Sequence, residues 1–176
     1  MLISRHKMVQ TGFTLIEVMV AVVILAILLS SAIPSFRSMI KNSQVRNAAD
    51  SIVNGLQKAR AEAESRNTNV AFTLGTGSSW TVAVVSPASA VGSSTTNDGS
   101  ASDITVSVQP GNTTTVTFNN LGGVQTTNAN GTLPLTQIDF APPVGGTQNM
   151  RVMLGAGGSA RMCDPGQSPG SNPRAC

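Results

Sequence analysis

The chain has 176 residues, enough for one domain of ordinary size around a single core. It carries 11 Lys+Arg against 8 Asp+Glu, with one His, two Cys, one Trp and no Tyr. The one histidine, His6, lies in a short basic stretch; if that stretch is cut away, no imidazole remains, excluding Ser-His-Asp and Cys-His catalysis and His-ligated metal, and two cysteines cannot form a Cys₄ zinc site.

Residues 1–12 include Arg5 and Lys7, which leaves 9 bases and 8 acids from Phe13 onward, a net of +1. Residues 13–33 follow, 21 positions that are apolar except for Thr14, Glu17, Ser30 and Ser31. At about 1.5 Å per helical residue they span roughly 30 Å, the thickness of a bilayer's hydrocarbon core. Bases before the run and none within it predict a cytoplasmic N-terminus. The plain alternative is a cleavable secretory signal, for which Ser30-Ser31-Ala32 could supply the small-residue site.

The helical pattern continues beyond Pro34. Phe36, Met39, Ile40, Val45, Ala48, Ala49, Ile52, Val53, Leu56, Ala59 and Ala63 recur at steps of three and four, with charged or polar residues between them. This predicts an amphipathic helix over 34–66, bent or locally opened by Pro34 and ended by Asn67-Thr68-Asn69.

Over residues 67–176 the period becomes two. Strands are predicted at 70–74, 80–85, 104–108 and 115–118, and with weaker patterning at 138–140, 151–154 and 160–162. Gly, Asn, Ser and Pro clusters separate them, and 86–102 reads as a mobile surface loop. An antiparallel meander or small double sheet results, whose apolar face needs the second half of the helix as its cover. The expected fold is α+β, a long helix packed on an antiparallel head.

Residues 67–150 contain no Lys or Arg, only Asp98, Asp103 and Asp139. These acids lack calcium-loop spacing and read as surface or turn residues. The last 26 residues hold Arg151, Arg161 and Arg174 against Asp164 alone, so positive charge is local and no uniformly basic face forms. Gly155-Ala156-Gly157-Gly158 reads as a tight turn; no Gly-Lys-Ser/Thr follows to make a phosphate loop. No metal or cofactor site is expected.

The hexapeptide Gly12-Phe13-Thr14-Leu15-Ile16-Glu17 carries the functional argument. A carboxylate in a membrane span costs about 2.5–3.5 kcal/mol at mid-depth and less near the end. Cutting after Gly12 would make the Phe13 amine a cation, which Glu17 of a neighbouring helix could meet. On position alone, a tolerated Glu17 with no role is the competing reading. The basic leader ending in Gly12, the Phe13-Thr14-Leu15-Ile16-Glu17 sequence, the apolar run and Pro34 together resemble a type IV prepilin signal. That resemblance implies cutting after Gly12 by the prepilin peptidase, N-methylation of Phe13, and a role for Glu17 in assembly and methylation.

Arg46-Asn47-Ala48-Ala49 and Ala59-Arg60-Ala61-Glu62-Ala63 are similar to the helix of the GspH/FimT group of minor pilins and pseudopilins. The tail, with Arg161-Met162-Cys163-Asp164-Pro165 and Pro173-Arg174-Ala175-Cys176, is similar to FimU/FimT-type minor pilins. Beyond the span the chain should meet an oxidising periplasm, so a Cys163–Cys176 disulfide is expected, with free thiols the alternative. Either a rigid element touched by a neighbouring pilin or ligand, or a staple on a loose tail, would account for it. DNA-binding members of the group have Gly-Arg-x-Arg before the cysteine; here Ser159 replaces the first arginine and only Arg161 is kept. Trp80, the lone aromatic besides phenylalanines, supplies a poor stacking platform for single strands. Arg161 otherwise reads as a solvated charge or an ion pair with Asp164.

These readings converge on a minor pilin, not an enzyme, held in the inner membrane with a periplasmic head until it joins the filament. It would support assembly and thereby twitching, adhesion or DNA uptake. The implied partners are other minor and major pilins and the prepilin peptidase. The alternatives are a DNA receptor for natural transformation using Arg151, Arg161 and Arg174, and a minor pseudopilin of a type II secretion system.

Overall fold

Helix α1 (Leu15–Arg66) starts where Thr14 can cap it: the Thr14 hydroxyl oxygen accepts a hydrogen bond from the Glu17 amide at 3.3 Å. The helix therefore begins two residues after the expected start at Phe13. The helix runs without a break through Pro34. It ends at Asn67, whose φ of 51° is a left-handed conformation that asparagine tolerates, and the Thr68 amide returns to the Ala63 carbonyl at 3.2 Å. The computed structural model describes residues 12–96, 103–142, 148–170 and 172–176. It divides into two units, Met1–Phe36 and Arg37–Cys176.

In the first unit the helix is apolar on all sides and exposed: Leu15, Ile16, Val18, Val22, Leu25 and Leu28 are each more than half accessible. The segment is long and apolar enough to cross a membrane. Its one hydroxyl pair is satisfied locally, since Ser30 and Ser31 both donate to the Ile27 carbonyl, at 2.7 and 3.5 Å.

The second unit holds two four-stranded antiparallel sheets. One has the order β3-β2-β1-β5, built from β1 (Val70–Leu74), β2 (Trp80–Val84), β3 (Ser89–Ser94) and β5 (Thr115–Phe118). The other has the order β4-β6-β7-β8, from β4 (Thr105–Gln109), β6 (Gln137–Ala141), β7 (Met150–Leu154) and β8 (Ala160–Cys163). Seven of these lie where the alternation places them. The exception is β3, which falls in the stretch read as a loop. Its Ser-Ala-Val-Gly-Ser-Ser sequence has little β preference, and it forms by pairing along β2, from Trp80↔Ser94 to Val84↔Ser89 with a register shift between Val82 and Ala83. The last part of that loop, 97–102, lies outside the described residues.

Helix and sheets share one core. Val45, Ala48, Ala49, Ile52, Leu56, Ala59 and Ala63 form the buried stripe of α1, against Phe72, Val82, Val116 and Phe118 of the first sheet and Ile138, Phe140 and Val152 of the second. Small residues on the helix permit close approach. At Gly55 an added Cβ would stand 2.8 Å from the rings of both Phe72 and Trp80. Trp80 donates its indole N–H to the Ser51 hydroxyl at 3.1 Å, and its ring lies 6.0 Å from that of Phe72.

The far edge of β5 is closed by its own downstream loop. Gln125 and Leu135 amides donate to the Thr117 and Thr115 carbonyls, each at 2.9 Å. The buried Asn128 side chain holds the loop: its oxygen accepts from the Thr117 hydroxyl at 3.0 Å, and its amide donates to the carbonyls of Thr115 and Leu133 at 2.9 and 3.0 Å. Gly155–Gly158 is the expected turn between β7 and β8, with Gly158 at φ 79°.

Candidate functional site

Two groups of residues carry the functional readings, one in each unit. In the first, Phe13 and Glu17 stand on the same side of the helix start. With Val18, Ala21, Val22 and Leu25 they line a shallow groove along its surface, and Phe13 is 84 % exposed. The spacing 18, 21, 22, 25 is one helical stripe, so the carboxylate sits at the head of an apolar strip. Thr14 and Glu17 hold the first and last positions of a Thr-x-x-Glu capping pattern, which leaves Glu17 in the first turn where the helix dipole favours an anion. Gly12 precedes the helix, exposed and outside regular structure.

In the second unit the three tail arginines do not act as one group. Arg151 and Arg161 share the outer face of their sheet, since the register pairs Arg151↔Cys163 and Met153↔Arg161 make them diagonal neighbours. Arg151 is neutralised by an ion pair with Asp139, directly opposite on β6, and Asp139 also accepts from the Gln137 side chain at 2.7 Å. Asp139 is thus a half-buried residue on the outer face of the strand expected at 138–140, and its partner comes from β7, which no local sequence signal announces. Arg161 is exposed and reaches the Met153 sulfur at 3.6 Å. It does not pair with Asp164, which is buried and accepts instead from the Gly166 amide at 2.8 Å.

Arg174 lies in the loop closed by the Cys163–Cys176 disulfide, whose Cα atoms are 5.0 Å apart. The loop is docked on the edge of β8: the Asp164 amide donates to the Arg174 carbonyl at 2.6 Å, and Asp164 and Ala175 form a parallel bridge. Arg174 lines a cleft of about 120 Å³ with Arg46, Gln148, Met150, Met162, Cys163 and Asp164. Arg46 is the residue that sequence reasoning passed over. It stands among the polar positions of the amphipathic helix, and only the fold brings the tail to it. Among the described residues no group of His, Cys, Asp and Glu is arranged to hold a metal ion.

The prokaryotic N-terminal methylation motif matches residues 7–33, and the family described as type II transport protein GspH matches residues 48–163. Among solved structures, the chain is similar to the type IV minor pilin FimU of Pseudomonas aeruginosa, at 17 % identity, with TM-score 0.52, covering 72 % of this chain and 93 % of that one. It is equally similar in fold to the minor pseudopilin EpsH of the Vibrio cholerae type 2 secretion system, at 13 % identity and TM-score 0.52, covering 70 % and 99 %. No curated protein matches it in sequence.

Proposed function

The chain belongs to the GspH family of structural pilins and pseudopilins, and on that premise we propose that it is a minor pilin of the type IV pilus. It is cut between Gly12 and Phe13, methylated on Phe13, and held in the inner membrane by residues 13–33 with its β-rich head in the periplasm. From there the apolar helix enters the filament core and helps to initiate assembly, supporting twitching, adhesion or DNA uptake. Association of helices is the whole mechanism, and the protein makes no bond.

The observation that carries this reading is the exposed Glu17 beside Phe13 at the head of an otherwise apolar helix. An ionised carboxylate in lipid needs a cation, and the amine created by cutting at Phe13 is one that every copy and every related subunit brings with it. Pairing Glu17 of one subunit with the N-terminus of the next fixes the axial register of helices whose apolar surfaces alone would slide.

Replacing Glu17 by Val tests the idea. The variant is expected to be cut at the same bond and retained in the membrane, yet to be missing from sheared filaments; unchanged incorporation contradicts the role. N-terminal sequencing and intact mass of the membrane form report whether the chain begins at a methylated Phe13. The family match also supports a second reading, a minor pseudopilin of a type II secretion system. Recovery of the chain with secretion pseudopili and its absence from pili would favour that one.

A further inference from the structure

The cleft between α1 and the disulfide-closed loop contains more positive charge than it uses. Among the described residues the ion pairs are Arg60–Glu64, Arg66–Glu62 and Arg151–Asp139, and neither Arg46 nor Arg174 belongs to one. Both arginines line the same cleft of about 120 Å³. The single acid there, Asp164, already has one oxygen on the Gly166 amide. Among the described residues that line the cleft, the side chains of two arginines and one aspartate sum to +1, and the others are Met150, Met162, Cys163 and Gln148.

We propose that this cleft is a carboxylate-binding site, occupied by an Asp or Glu side chain of another pilin subunit. A planar monoanion balances the +1 charge and matches the fork of N–H donors that guanidinium presents. A phosphate dianion would overbalance it and bring a second negative group against Asp164. The volume admits one short side chain, and the flexible thioether stems of Met150 and Met162 suit the methylenes of an acidic residue. The disulfide has a direct part in the site: it ties the loop bearing Arg174 to β8, and so holds that arginine in the cleft that Arg46 also lines. That the carboxylate comes from a pilin rests on the function proposed above; the site itself does not.

The test uses the full-length protein in detergent micelles, labelled at arginine and titrated with acetate at constant ionic strength. The Nε–H resonances of Arg46 and Arg174 are expected to move together and saturate. Arg46→Gln should weaken the acetate response of Arg174 by about two- to fivefold, the range of one solvent-touched ion pair, whereas Arg161→Gln leaves it unchanged. Absence of a joint response overturns the site. A response to inorganic phosphate, or to a single-stranded oligonucleotide, at lower concentration than to acetate overturns it in favour of phosphate binding.

The source of the carboxylate is read in cells carrying the Arg46→Lys variant and treated with a carbodiimide. The introduced amine then forms an amide with any carboxylate it touches, the lost water being taken up by the carbodiimide as its urea. An amide to an Asp or Glu of a second pilin is the expected product. An amide only to the chain's own Asp164, or none, removes the partner. A wild-type chain that enters no filament but still answers acetate sinks the pilin assignment and keeps the site. One that enters filaments with a silent cleft sinks the site alone.

Discussion

Gly55 occupies the point where α1 comes nearest to the aromatic pair of the first sheet. An added Cβ there would meet Phe72 and the indole of Trp80 at 2.8 Å, and Trp80 is further fixed by its hydrogen bond to Ser51. Overpacking a filled core costs about 1–3 kcal/mol. Alanine returns about 0.5–1 kcal/mol by lowering the entropy lost in forming the helix. Steric strain outweighs propensity, so Gly55→Ala is expected to destabilise the head by about 1–2 kcal/mol. Because Trp80 is the chain's one tryptophan, its fluorescence during urea denaturation reports the change directly. A midpoint equal to or above that of the parent would show that the helix shifts freely away from the rings.

The disulfide-closed tail is an element with almost no core of its own. Between Cys163 and Cys176 the chain is Pro, Gly, Ser, Asn and Gln with Asp164, Arg174 and Ala175, and its order comes from the disulfide and a few main-chain bonds on the edge of β8. Closing a loop with a sequence separation of 13 stabilises by roughly 3 kcal/mol through the entropy of the unfolded chain. Cys163→Ser with Cys176→Ser is therefore expected to lower the melting temperature and to expose residues 164–175 to proteolysis, while protease digestion leaves the two sheets intact. Equal resistance with and without the disulfide would refute this. The same tail marks what could be read in the sequence and what could not. Strands β1 and β2 and the buried stripe of α1 are written in strong alternation or helical spacing, because each buries one face against the core, while β5 alternates in sequence but its second face, at Thr117, is covered by the Asn128 loop. Strand β3 has no such face: its residues are exposed or half-exposed, and pairing with β2 creates it. The proposed processing site, Gly12-Phe13 with Glu17, is contiguous, so its whole pattern stands in the sequence. The arginine cleft unites α1, the start of β7, β8 and the tail, and no local pattern connects Arg46 with Arg174.

For the whole molecule, the decisive quantity is where unpaired positive charge lies. The β-rich part, residues 67–176, has three arginines against Asp98, Asp103, Asp139 and Asp164, and one of those arginines is neutralised by Asp139. The helical half over 37–66 has six bases, with Arg60 and Arg66 paired to Glu64 and Glu62 on adjacent turns. Among the described residues positive charge is spread over α1 and the tail with no continuous basic groove, and Trp80 is buried in the core, where it cannot stack on a base. Among the described residues of that outer face, Arg161 is an exposed arginine with no ion pair, set against the Met153 sulfur, while Arg174 lines a different cleft. One to three phosphate contacts give a log–log salt slope of about −1 to −2 on single strands. Gel retardation of an oligonucleotide by the full-length protein in detergent is thus expected to be weak at low salt and lost at moderate salt. Arg161→Gln should remove most of what remains, and Arg151→Gln little, because its charge is already spent on Asp139. Retardation that persists at moderate salt and disappears with Arg161→Gln would reverse the order of the two readings, making DNA capture the function and filament assembly its means of delivery.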